Sequence, residues 1–504
     1  MTNHLFSQIR ARMPEAGTPF ATLTDGRVVR YADVLDLSAR YAHALVALGV
    51  RPGDRVAVQV DKSIEALMVY LAAIRAGAIF LPLNNAYTPA EIAYFLGDAT
   101  PRVFVCAPQQ AEALAPVAKA SGAVLETLGT KGDGTLAEKA ASASPDFADV
   151  ARGPDDLGAI LYTSGTTGRS KGAMLSHENL ASNARVLVET WRFTSKDVLL
   201  HALPIFHTHG LFVATNVVLF SGASMIFLSK FDADEVFRQL PKATTMMGVP
   251  TFYVRLLDDA RLTRGATAHM RLFISGSAPL LAETHRDFEA RTGQAILERY
   301  GMTETNMNTS NPYEGDRRAG TVGFPLEGTE IRITNPETGA LLGADEIGMI
   351  EVRGPNVFKG YWQNPEKTKA EFREDGFFIT GDLGKVDPRG YVHIVGRGKD
   401  LIITGGYNVY PKEIEGEIDG MPGVNESAVI GVPHKDFGEG VTAVVVPSKG
   451  ATLDAQAIMK ALESRLAKFK LPKRVIIVDE LPRNTMGKVQ KNILRETYKD
   501  IYSR

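Results

Sequence analysis

Strand-like and helix-like segments alternate in the first part of the chain. An apolar, β-branched run at 55–60 predicts a strand, and an amphipathic helical pattern follows it at 64–76. Strand-like runs at 79–83 and 103–107 enclose a second helical pattern at 89–96. Such alternation is typical of parallel sheets covered by helices. The sequence therefore predicts an α/β protein.

The length of the chain and a change in amino-acid composition near residue 397 indicate more than one domain. With 504 residues the chain exceeds a single ordinary core. A glycine-rich, charged segment around Lys399 precedes a smaller region that mixes helices with strands. We expect an N-terminal region over 1–397, with parallel-type sheets covered by helices, and a small α+β C-terminal domain over 398–504.

Composition and charge exclude several classes of protein. The net charge of −2 gives no electrostatic footprint for nucleic acid or an anionic membrane. The single cysteine, Cys106, excludes an internal disulfide and a multi-cysteine zinc site, and its strand-like surroundings indicate a buried position. Residues 1–17 lack the apolar segment of a secretory signal, and the uncharged stretch at 211–228 contains a turn signal, so a buried helix and strand are expected there. We expect a soluble, cytoplasmic protein.

A glycine- and hydroxyl-rich loop at 163–172, with the sequence TSGTTGRSKG, follows an apolar run. Its glycines let backbone N–H groups turn inward, and its hydroxyls and lysine add further donors, which together can cradle phosphate. A Walker A loop is excluded, because that motif requires glycine before its lysine and here Ser170 precedes Lys171. The other interpretation is an ordinary polar surface loop.

Four more motifs complete a pattern that covers nearly the whole chain. They are YGMTE at 300–304, TGD at 380–382, GRGKD at 396–400 and PRNTMGK at 482–488. Together with the loop at 163–172, in this order and at these spacings, they resemble the ANL superfamily of adenylate-forming enzymes, which contains acyl-CoA synthetases, adenylation domains and luciferases. The resemblance implies the ANL fold and a two-step reaction. ATP converts a carboxylate to an acyl-adenylate with release of pyrophosphate, and CoA then takes the acyl group with release of AMP.

The resemblance also implies which residues form the site. ATP would lie against Thr163, Ser164, Gly165, Thr166, Thr167, Gly168, Lys171, Ser277, Glu298, Tyr300, Thr303, Asp382, Arg397 and Lys488. Thr163 and Glu304 would hold Mg²⁺, which prefers hard oxygen ligands and phosphate bridges. The catalytic residues would be Lys488, Glu304, Thr303 and His207.

Several of these roles suit the chemistry of the side chain. Asp382 has two acceptor oxygens for the ribose hydroxyls, Tyr300 has a ring on which adenine can stack, and Arg397 has a charge for the ribose or phosphate region. Lys488 would offset the repulsion between the carboxylate and the α-phosphate as they approach. Taken singly, Asp382 is more typical of a turn aspartate, Tyr300 of a core aromatic and Lys488 of an exposed loop lysine.

In the ANL superfamily the C-terminal domain rotates between the two steps. The resemblance makes Lys399 the hinge residue, and it places the pantetheine arm of CoA beside Gly405 and Gly406, where a side chain would obstruct it. It also makes Lys488 a candidate for inhibitory acylation by a modifying enzyme, which would remove its charge. The expected partners are the acid, ATP, Mg²⁺ and CoA, and neither a nucleic acid nor a membrane.

The residue before the YGMTE motif points to the nature of the acid. The superfamily usually has a small residue at this acid-lining position, and here it is Arg299. An unpaired buried guanidinium is unfavourable, whereas a second carboxylate on the substrate would form a bidentate ion pair with it. A monocarboxylate would leave the arginine without a partner and would be rejected. The sequence therefore predicts a dicarboxylate, with Arg286 as a second candidate cation for which a surface position on a helix is expected.

Neighbouring polar residues agree with this prediction. Superfamily positions that border the acid are occupied by His207, Thr208, Ser277 and Met302. The run at 298–306 is similar to that of the malonyl-CoA synthetases, which implies malonate as the acid and methylmalonate as a second substrate. A zinc site at His207 and His209 is rejected, because no third ligand recurs nearby.

Two other functions stay open on the sequence alone. One is an acyl-CoA synthetase for a fatty or aryl monocarboxylic acid, in which Arg299 turns outward to a surface carboxylate. The other is an adenylation module that hands its acyl group to a carrier protein, which the lack of a carrier-like segment after Arg504 disfavours.

Overall fold

The computed structural model describes residues 2–163, 170–404, 407–434, 436–466, 468–484 and 487–502. The chain forms two compact units. The first comprises Met1–Ala319, Gly323–Glu330 and Val352–Phe378, and the second comprises Gly320–Val322, Ile331–Glu351 and Ile379–Arg504. The predicted boundary after residue 397 lies within the second unit, and the position at which the chain would hinge stays a prediction.

Two mostly parallel sheets form the first unit. Its strands are β1 (Pro19–Leu23), β2 (Val28–Arg30), β3 (Arg55–Gln59), β4 (Ile79–Pro82), β5 (Val103–Cys106), β6 (Val124–Thr127), β7 (Leu157–Thr163), β8 (Lys171–Ser176), β9 (Val198–His201), β10 (Ser224–Phe227), β11 (Thr245–Gly248), β12 (Leu272–Ser275), β13 (Leu297–Met302), β14 (Asn306–Ser310) and β15 (Phe324–Pro325). Among the described residues the sheet orders are β6-β5-β3-β4-β7-β8 and β15-β14-β13-β12-β11-β9-β10-β1-β2. Antiparallel pairing is confined to the edges, where β8, β14, β15 and β2 lie.

Helices connect the parallel strands of this unit, as parallel pairing requires. The helices of the unit are α1 (His4–Arg10), α2 (Tyr31–Ala47), α3 (Ile64–Arg75), α4 (Pro89–Ala99), α5 (Ala111–Ser121), α6 (Thr135–Ala141), α7 (His177–Thr190), α8 (Asn216–Ser221), α9 (Ala233–Gln239), α10 (Pro250–Leu257), α11 (Arg264–Thr267), α12 (Ala282–Thr292) and α13 (Pro365–Glu371), of which α1 and α13 do not connect parallel strands. A π-helix, His209–Thr215, leads directly into α8. The predicted α/β class with parallel-type sheets is confirmed.

Helix α3 is buried along its whole length. In its middle, the ring of Tyr70 meets Phe80 of β4 and Phe212 of the π-helix, at centroid distances of 5.3 and 5.6 Å. The helix predicted at 64–76 is therefore confirmed, but the prediction that one of its faces is exposed is wrong. A helix that is apolar on all sides is one that other layers of the protein cover on all sides.

Two other predictions about buried segments are confirmed. Cys106 lies buried in β5, and burial raises the pKa of its thiol to about 11. The stretch at 211–228 forms most of the π-helix, then α8 and β10, and these elements are largely buried. Within the described part of the chain, we find no helix that is both apolar enough and long enough to cross a membrane.

The second unit contains most of a four-stranded sheet and, beyond residue 400, a smaller α+β region. The sheet has the order β16-β17-β18-β19, with β16 (Glu330–Thr334), β17 (Gly348–Arg353), β18 (Phe378–Val386) and β19 (Val392–Arg397). The α+β region contains β20 (Ile402–Thr404), β21 (Tyr407–Val409), β22 (Val424–His434), β23 (Gly438–Pro447), β24 (Arg474–Ile477), α14 (Pro411–Asp419), α15 (Ala455–Glu463) and α16 (Lys491–Tyr498). Its strands are ordered β21-β20-β23-β22, and β24 pairs with β23. The predicted small α+β region is confirmed.

Candidate active site

The YGMTE motif forms the end of β13 and the turn into β14. Met302 pairs with Asn306 across this hairpin, so residues 303–305 make the turn. Asn306 has a positive φ of 50°, and a Cβ atom at Gly301 would lie 1.9 Å from the carbonyl oxygen of Asn306. Only glycine allows so close an approach, which explains its place in the motif. The turn presents two of the predicted catalytic residues, Thr303 and Glu304.

Glu304 shares a hydroxyl donor with a second carboxylate. Its Oε1 lies 3.1 Å from the hydroxyl oxygen of Tyr361, which is also 2.6 Å from Oε2 of Glu371. The hydroxyl has one proton, so it donates to one of the two carboxylates at a time. Burial and the two negative charges raise the pKa of Tyr361 above its ordinary value, which keeps this proton in place. Tyr361 was not among the residues predicted from the sequence.

Lys171 contacts the ring of the same tyrosine. Its Nζ lies 5.3 Å from the centroid of the Tyr361 ring, within the range of a cation–π interaction. Lys171 begins β8, directly opposite Thr163 at the end of β7. Of the predicted phosphate loop, Ser164, Gly165, Thr166, Thr167 and Gly168 lie outside the described residues. The structure thus brings Lys171 close to Glu304 through Tyr361, and the phosphate-binding role stays a prediction.

The side chain of Arg299 is buried against the backbone of Gly276. Arg299 is 3% exposed, and a Cβ atom at residue 276 would lie 2.4 Å from its Cζ. Its Nε and Nη2 have no hydrogen-bond partner among the described residues. Burial lowers the pKa of the guanidinium to about 9, while Tyr253 and Glu298 act in the opposite direction. Arg299 therefore does not turn outward to a surface carboxylate.

Ser277 and His209 meet close to this arginine. The Oγ of Ser277 lies 3.1 Å from Nδ1 of His209. Ser277 has a φ of 72°, a left-handed conformation that is uncommon for non-glycine residues and is enriched at functional sites. Burial, and then the positive charge of Arg299, hold the pKa of His209 well below its ordinary value, so its imidazole is neutral.

His209 is a site residue that sequence reasoning missed. It begins the π-helix, an element that is rare in proteins overall but common at functional sites. The signal was the sequence HTH at 207–209, of which the resemblance assigned His207 and Thr208 to the acid, while His209 entered only through the rejected zinc pair. Thr208 beside it is buried and its Oγ1 has no hydrogen-bond partner among the described residues, whereas His207 is half-buried with its ring centroid 6.0 Å from that of Phe206.

Glu298 and Tyr300 flank Arg299 on β13. The backbone N–H of Leu280 donates to Oε1 of Glu298 at 3.2 Å, so this buried carboxylate holds the loop that follows Ser277. Tyr300 is half-buried, like Met302 and Thr303, and is therefore not a core aromatic. Their predicted contacts with ATP or the acid stay predictions.

In the second unit, Asp382 and Arg397 form an ion pair. They lie directly opposite one another on β18 and β19, with Nε of Arg397 2.9 Å from Oδ1 of Asp382. The N–H of Asp382 donates to Oγ1 of Thr380 at 3.0 Å. Asp382 is thus a buried strand residue and not a turn aspartate, and the structure brings together two of the residues expected at the nucleotide.

Lys399 and Lys488 are two further predicted residues of the second unit. Lys399 is exposed in the short helical turn Gly398–Asp400. The N–H of Lys488 donates to Oδ1 of Asn484 at 2.9 Å, and the N–H of Asn484 donates to the carbonyl of Lys488 at 3.0 Å, so Lys488 is held to Asn484 through its own backbone groups. Gly405 and Gly406 lie outside the described residues. The hinge, catalytic and CoA roles stay predictions.

Comparisons with known proteins identify the class of enzyme that this fold and site define. Residues 10–362 match the family described as AMP-binding enzyme, and residues 413–488 match the family described as AMP-binding enzyme C-terminal domain. The chain therefore belongs to the family of AMP-binding enzymes.

Individual relatives narrow the class. The ATP-bound structure of MatB from Rhodopseudomonas palustris is 63% identical, with a TM-score of 0.98 and all of both chains covered. A feruloyl-CoA synthase from an Amycolatopsis species is 38% identical, covering 97% of this chain and 97% of that protein. A malonate–CoA ligase from Arabidopsis thaliana is 33% identical, covering 98% of this chain and 91% of that protein. Within the family, the chain is an AMP-forming acid–CoA ligase, as its motifs predicted.

Proposed function

We propose that the protein is a malonate–CoA ligase, with methylmalonate as a second substrate. It would convert malonate to malonyl-adenylate with ATP, releasing pyrophosphate, and then form malonyl-CoA with release of AMP. The name of the Arabidopsis relative supports this substrate. The observation that carries the proposal is the buried guanidinium of Arg299, whose Nε and Nη2 have no hydrogen-bond partner among the described residues.

A carboxylate on the substrate would satisfy this guanidinium. A buried charge without a partner is strongly unfavourable, and an arginine binds a carboxylate through two parallel hydrogen bonds. Malonate has one carboxylate for this purpose and a second one to react with ATP. A monocarboxylate that uses its carboxylate for the reaction would leave Arg299 unpaired. Polar pockets discriminate strongly against such ligands.

The neutral pair of Ser277 and His209 would assist in the same pocket. One hydroxyl proton and one imidazole proton are shared between these two groups, so at least one donor is available to a carboxylate oxygen. Nε2 of His209 is buried and has no hydrogen-bond partner among the described residues. An anionic ligand beside Arg299 would use this donor capacity.

The surroundings of Tyr361 fit Mg²⁺ and the phosphates of ATP. The described residues contain no group of three or more His, Cys, Asp or Glu side chains that could hold a metal alone. Mg²⁺ is usually held by one or two carboxylates together with substrate phosphates, and the buried Glu304 offers such a carboxylate. Bound there with Thr163, the ion would neutralise phosphate charge. Lys171 would add a positive charge from the same side chain cluster.

The second unit would contribute the remaining groups. The carboxylate of Asp382, oriented by Arg397, would accept from the ribose hydroxyls. Lys488 would approach the α-phosphate and the reacting carboxylate during adenylation. The domain 398–504 would then rotate about Lys399, so that Gly405 and Gly406 flank the pantetheine arm of CoA.

The substrate is tested by comparing acids under identical conditions. The purified protein is given ATP, Mg²⁺ and CoA with malonate, methylmalonate, oxalate, ferulate or octanoate, and AMP and the thioester are measured by mass spectrometry. We expect malonate to have the highest kcat/KM, followed by methylmalonate. A preference for octanoate or ferulate would overturn the proposal, and thioester formation only with a carrier protein would replace CoA as the acceptor.

A matched pair of variants tests the observation that carries the proposal. Arg299→Met retains most of the side-chain volume and removes the charge, so it should lower kcat/KM for malonate about a hundredfold. Arg286→Met is the control, because Arg286 is exposed on α12. Equal effects of the two substitutions would place the recognition of the acid elsewhere.

A further inference from the structure

Lys62 is a lysine that the proposed mechanism does not use. It follows β3, next to Ser63 at the start of α3, and its side chain borders a cavity of about 480 Å³ in the first unit. Its Nζ lies 4.3 Å from the ring centroid of Phe227. Burial holds the pKa of Lys62 well below its ordinary value, and among the described residues no carboxylate forms an ion pair with it.

Among the residues that the structure describes, Lys62 makes its hydrogen bonds to His201 alone. Its Nζ lies 3.0 Å from Nδ1 of His201 and 2.9 Å from the carbonyl oxygen of His201. The imidazole of His201 is fully buried, and its Nε2 lies 2.9 Å from the carbonyl oxygen of Gly210. A carbonyl only accepts, so Nε2 carries the proton and Nδ1 accepts from Lys62. The carbonyl of Gly210 thereby determines the tautomer, and Lys62 holds the other ring nitrogen and so the orientation of the ring.

The acceptor at the end of this chain belongs to the π-helix. The carbonyl of Gly210 also accepts from Oγ1 of Thr215 at 2.9 Å. Gly210 packs closely against the preceding loop, because a Cβ atom there would lie 2.0 Å from the carbonyl oxygen of Pro204. The residue before Gly210 is His209, whose Nδ1 meets Ser277. A change at Lys62 is therefore transmitted by two hydrogen bonds to the backbone that carries His209.

We propose that Lys62 is a positioning residue for the acid site, acting through His201 on the carbonyl of Gly210 and thus on His209. The inference rests on the proposed function, because the site that Lys62 positions is the one assigned above to the acid. Burying an amine is unfavourable, and here its hydrogen bonds are directed to His201, whose Nε2 donates to the carbonyl of Gly210 in the first turn of the π-helix. Removal of the donor would leave Nδ1 of His201 without its partner and free the ring to rotate.

The test compares the acid with ATP in pyrophosphate exchange. Lys62→Met keeps the length of the side chain and removes the donor. We expect the KM for malonate to rise about tenfold and the KM for ATP to change by less than about twofold, because only the acid site is disturbed. Lys62→Arg should restore most of the affinity for malonate. Lys230→Met, on the wall of the same cavity but exposed, is the matched control and should leave both KM values unchanged.

A double-mutant cycle tests the route of the effect. In a His209→Asn background, Lys62→Met should raise the KM for malonate much less than in the wild type. Equal effects in both backgrounds would overturn the inference. A rise in the KM for CoA alone would also overturn it, because Lys62 would then serve the binding of CoA and not of the acid. If Lys62→Met does not fold, Thr215→Val tests the same carbonyl, and it should raise the KM for malonate in the same direction.

These outcomes are separate from those of the proposed function. If the wild type does not activate malonate, the proposed substrate is wrong, and the same comparison is made with the acid that does support exchange. A selective rise in the KM for that acid would still support the positioning role. Unchanged KM values for every accepted acid in Lys62→Met would overturn it.

Discussion

A Cβ atom at residue 276 would lie 2.4 Å from Cζ of Arg299 and 2.6 Å from its Nε and Nη1, so the guanidinium fills the space beside Gly276. Protein interiors are close-packed, and no side chain at residue 276 can share this space. The glycine is therefore required by the position of Arg299. The charge proposed to select the acid and the glycine that makes room for it form one functional pair.

Gly276→Ala should displace the guanidinium of Arg299. We expect kcat/KM for malonate to fall about a hundredfold while the KM for ATP changes by less than about twofold, because a displacement of roughly 1 Å is enough to lose a well-aligned ion pair. Steady-state kinetics with each substrate varied in turn measures both values. Gly265→Ala is the control, since the nearest atom to a Cβ there would be 3.9 Å away.

A second background shows whether the effect passes through Arg299. In Arg299→Met, the additional change Gly276→Ala should lower kcat/KM for malonate only slightly, because the charge has already been lost. A further hundredfold loss would mean that Gly276 acts on the loop around Ser277 and not on Arg299.

Tyr361→Phe should raise the concentration of Mg²⁺ that the enzyme requires. The hydroxyl of Tyr361 lies between the carboxylates of Glu304 and Glu371, and its loss leaves the proposed metal ligand without this orienting donor. Losing a partner of a metal ligand commonly weakens metal binding by about tenfold or more. Titration of pyrophosphate exchange with Mg²⁺ measures the requirement, and electron paramagnetic resonance of bound Mn²⁺ in the presence of ATP measures binding directly. An unchanged affinity for Mn²⁺ would remove Glu304 or Tyr361 from the metal site.

The stability of the first unit should fall in mild acid because of His177. The N–H of Leu5 donates to its Nδ1 at 3.3 Å, and burial lowers its pKa to about 4. Its ordinary pKa is about 6.5, so between these values the unfolded chain binds a proton that the folded chain does not. The resulting stability is present above pH 6.5 and is lost as the pH falls toward 4. The loss between pH 7 and pH 5 should be about 2 kcal/mol.

Denaturant unfolding at both pH values measures this loss. His177→Asn keeps an acceptor for the N–H of Leu5 and removes the titratable group, so it should make the stability less dependent on pH. The same substitution at His43, whose Nε2 faces the carbonyl of Asp146 at the surface, should leave the pH dependence as it is. An unaltered pH dependence in His177→Asn would show that other groups cause the acid sensitivity.

The residues that the sequence singled out are those in contiguous motifs. Arg299 could be singled out because it adjoins YGMTE, and its burial agrees with the role assigned to it. Strand and helix segments could be predicted because their periodicity is local. The amphipathic pattern at 64–76 was misjudged, because the number of layers that cover a helix is not encoded in its own residues.

The residues that the sequence could not predict depend on contacts with residues that are distant in the sequence. Gly276 matters because Arg299 folds back over it, and Tyr361 matters because it lies against Glu304. His209 was visible in the sequence but could not be connected with Ser277, since the π-helix that presents it has no simple sequence pattern. Each depends on a tertiary contact that only the fold defines.

Lys488→Ala should separate the two steps of the reaction. Lys488 is held to Asn484 through its own backbone N–H and carbonyl, which an alanine retains, so the contact should survive the substitution. Adenylation should fall by about a hundredfold or more, because a charge aimed at the transition state is lost. Thioester formation from supplied malonyl-adenylate should stay within about twofold of the wild type, and the exposed Lys499→Ala should affect neither step. Pyrophosphate exchange measures the first step and consumption of the CoA thiol the second. Equal losses in both steps would show that Lys488 serves the whole site and not adenylation alone.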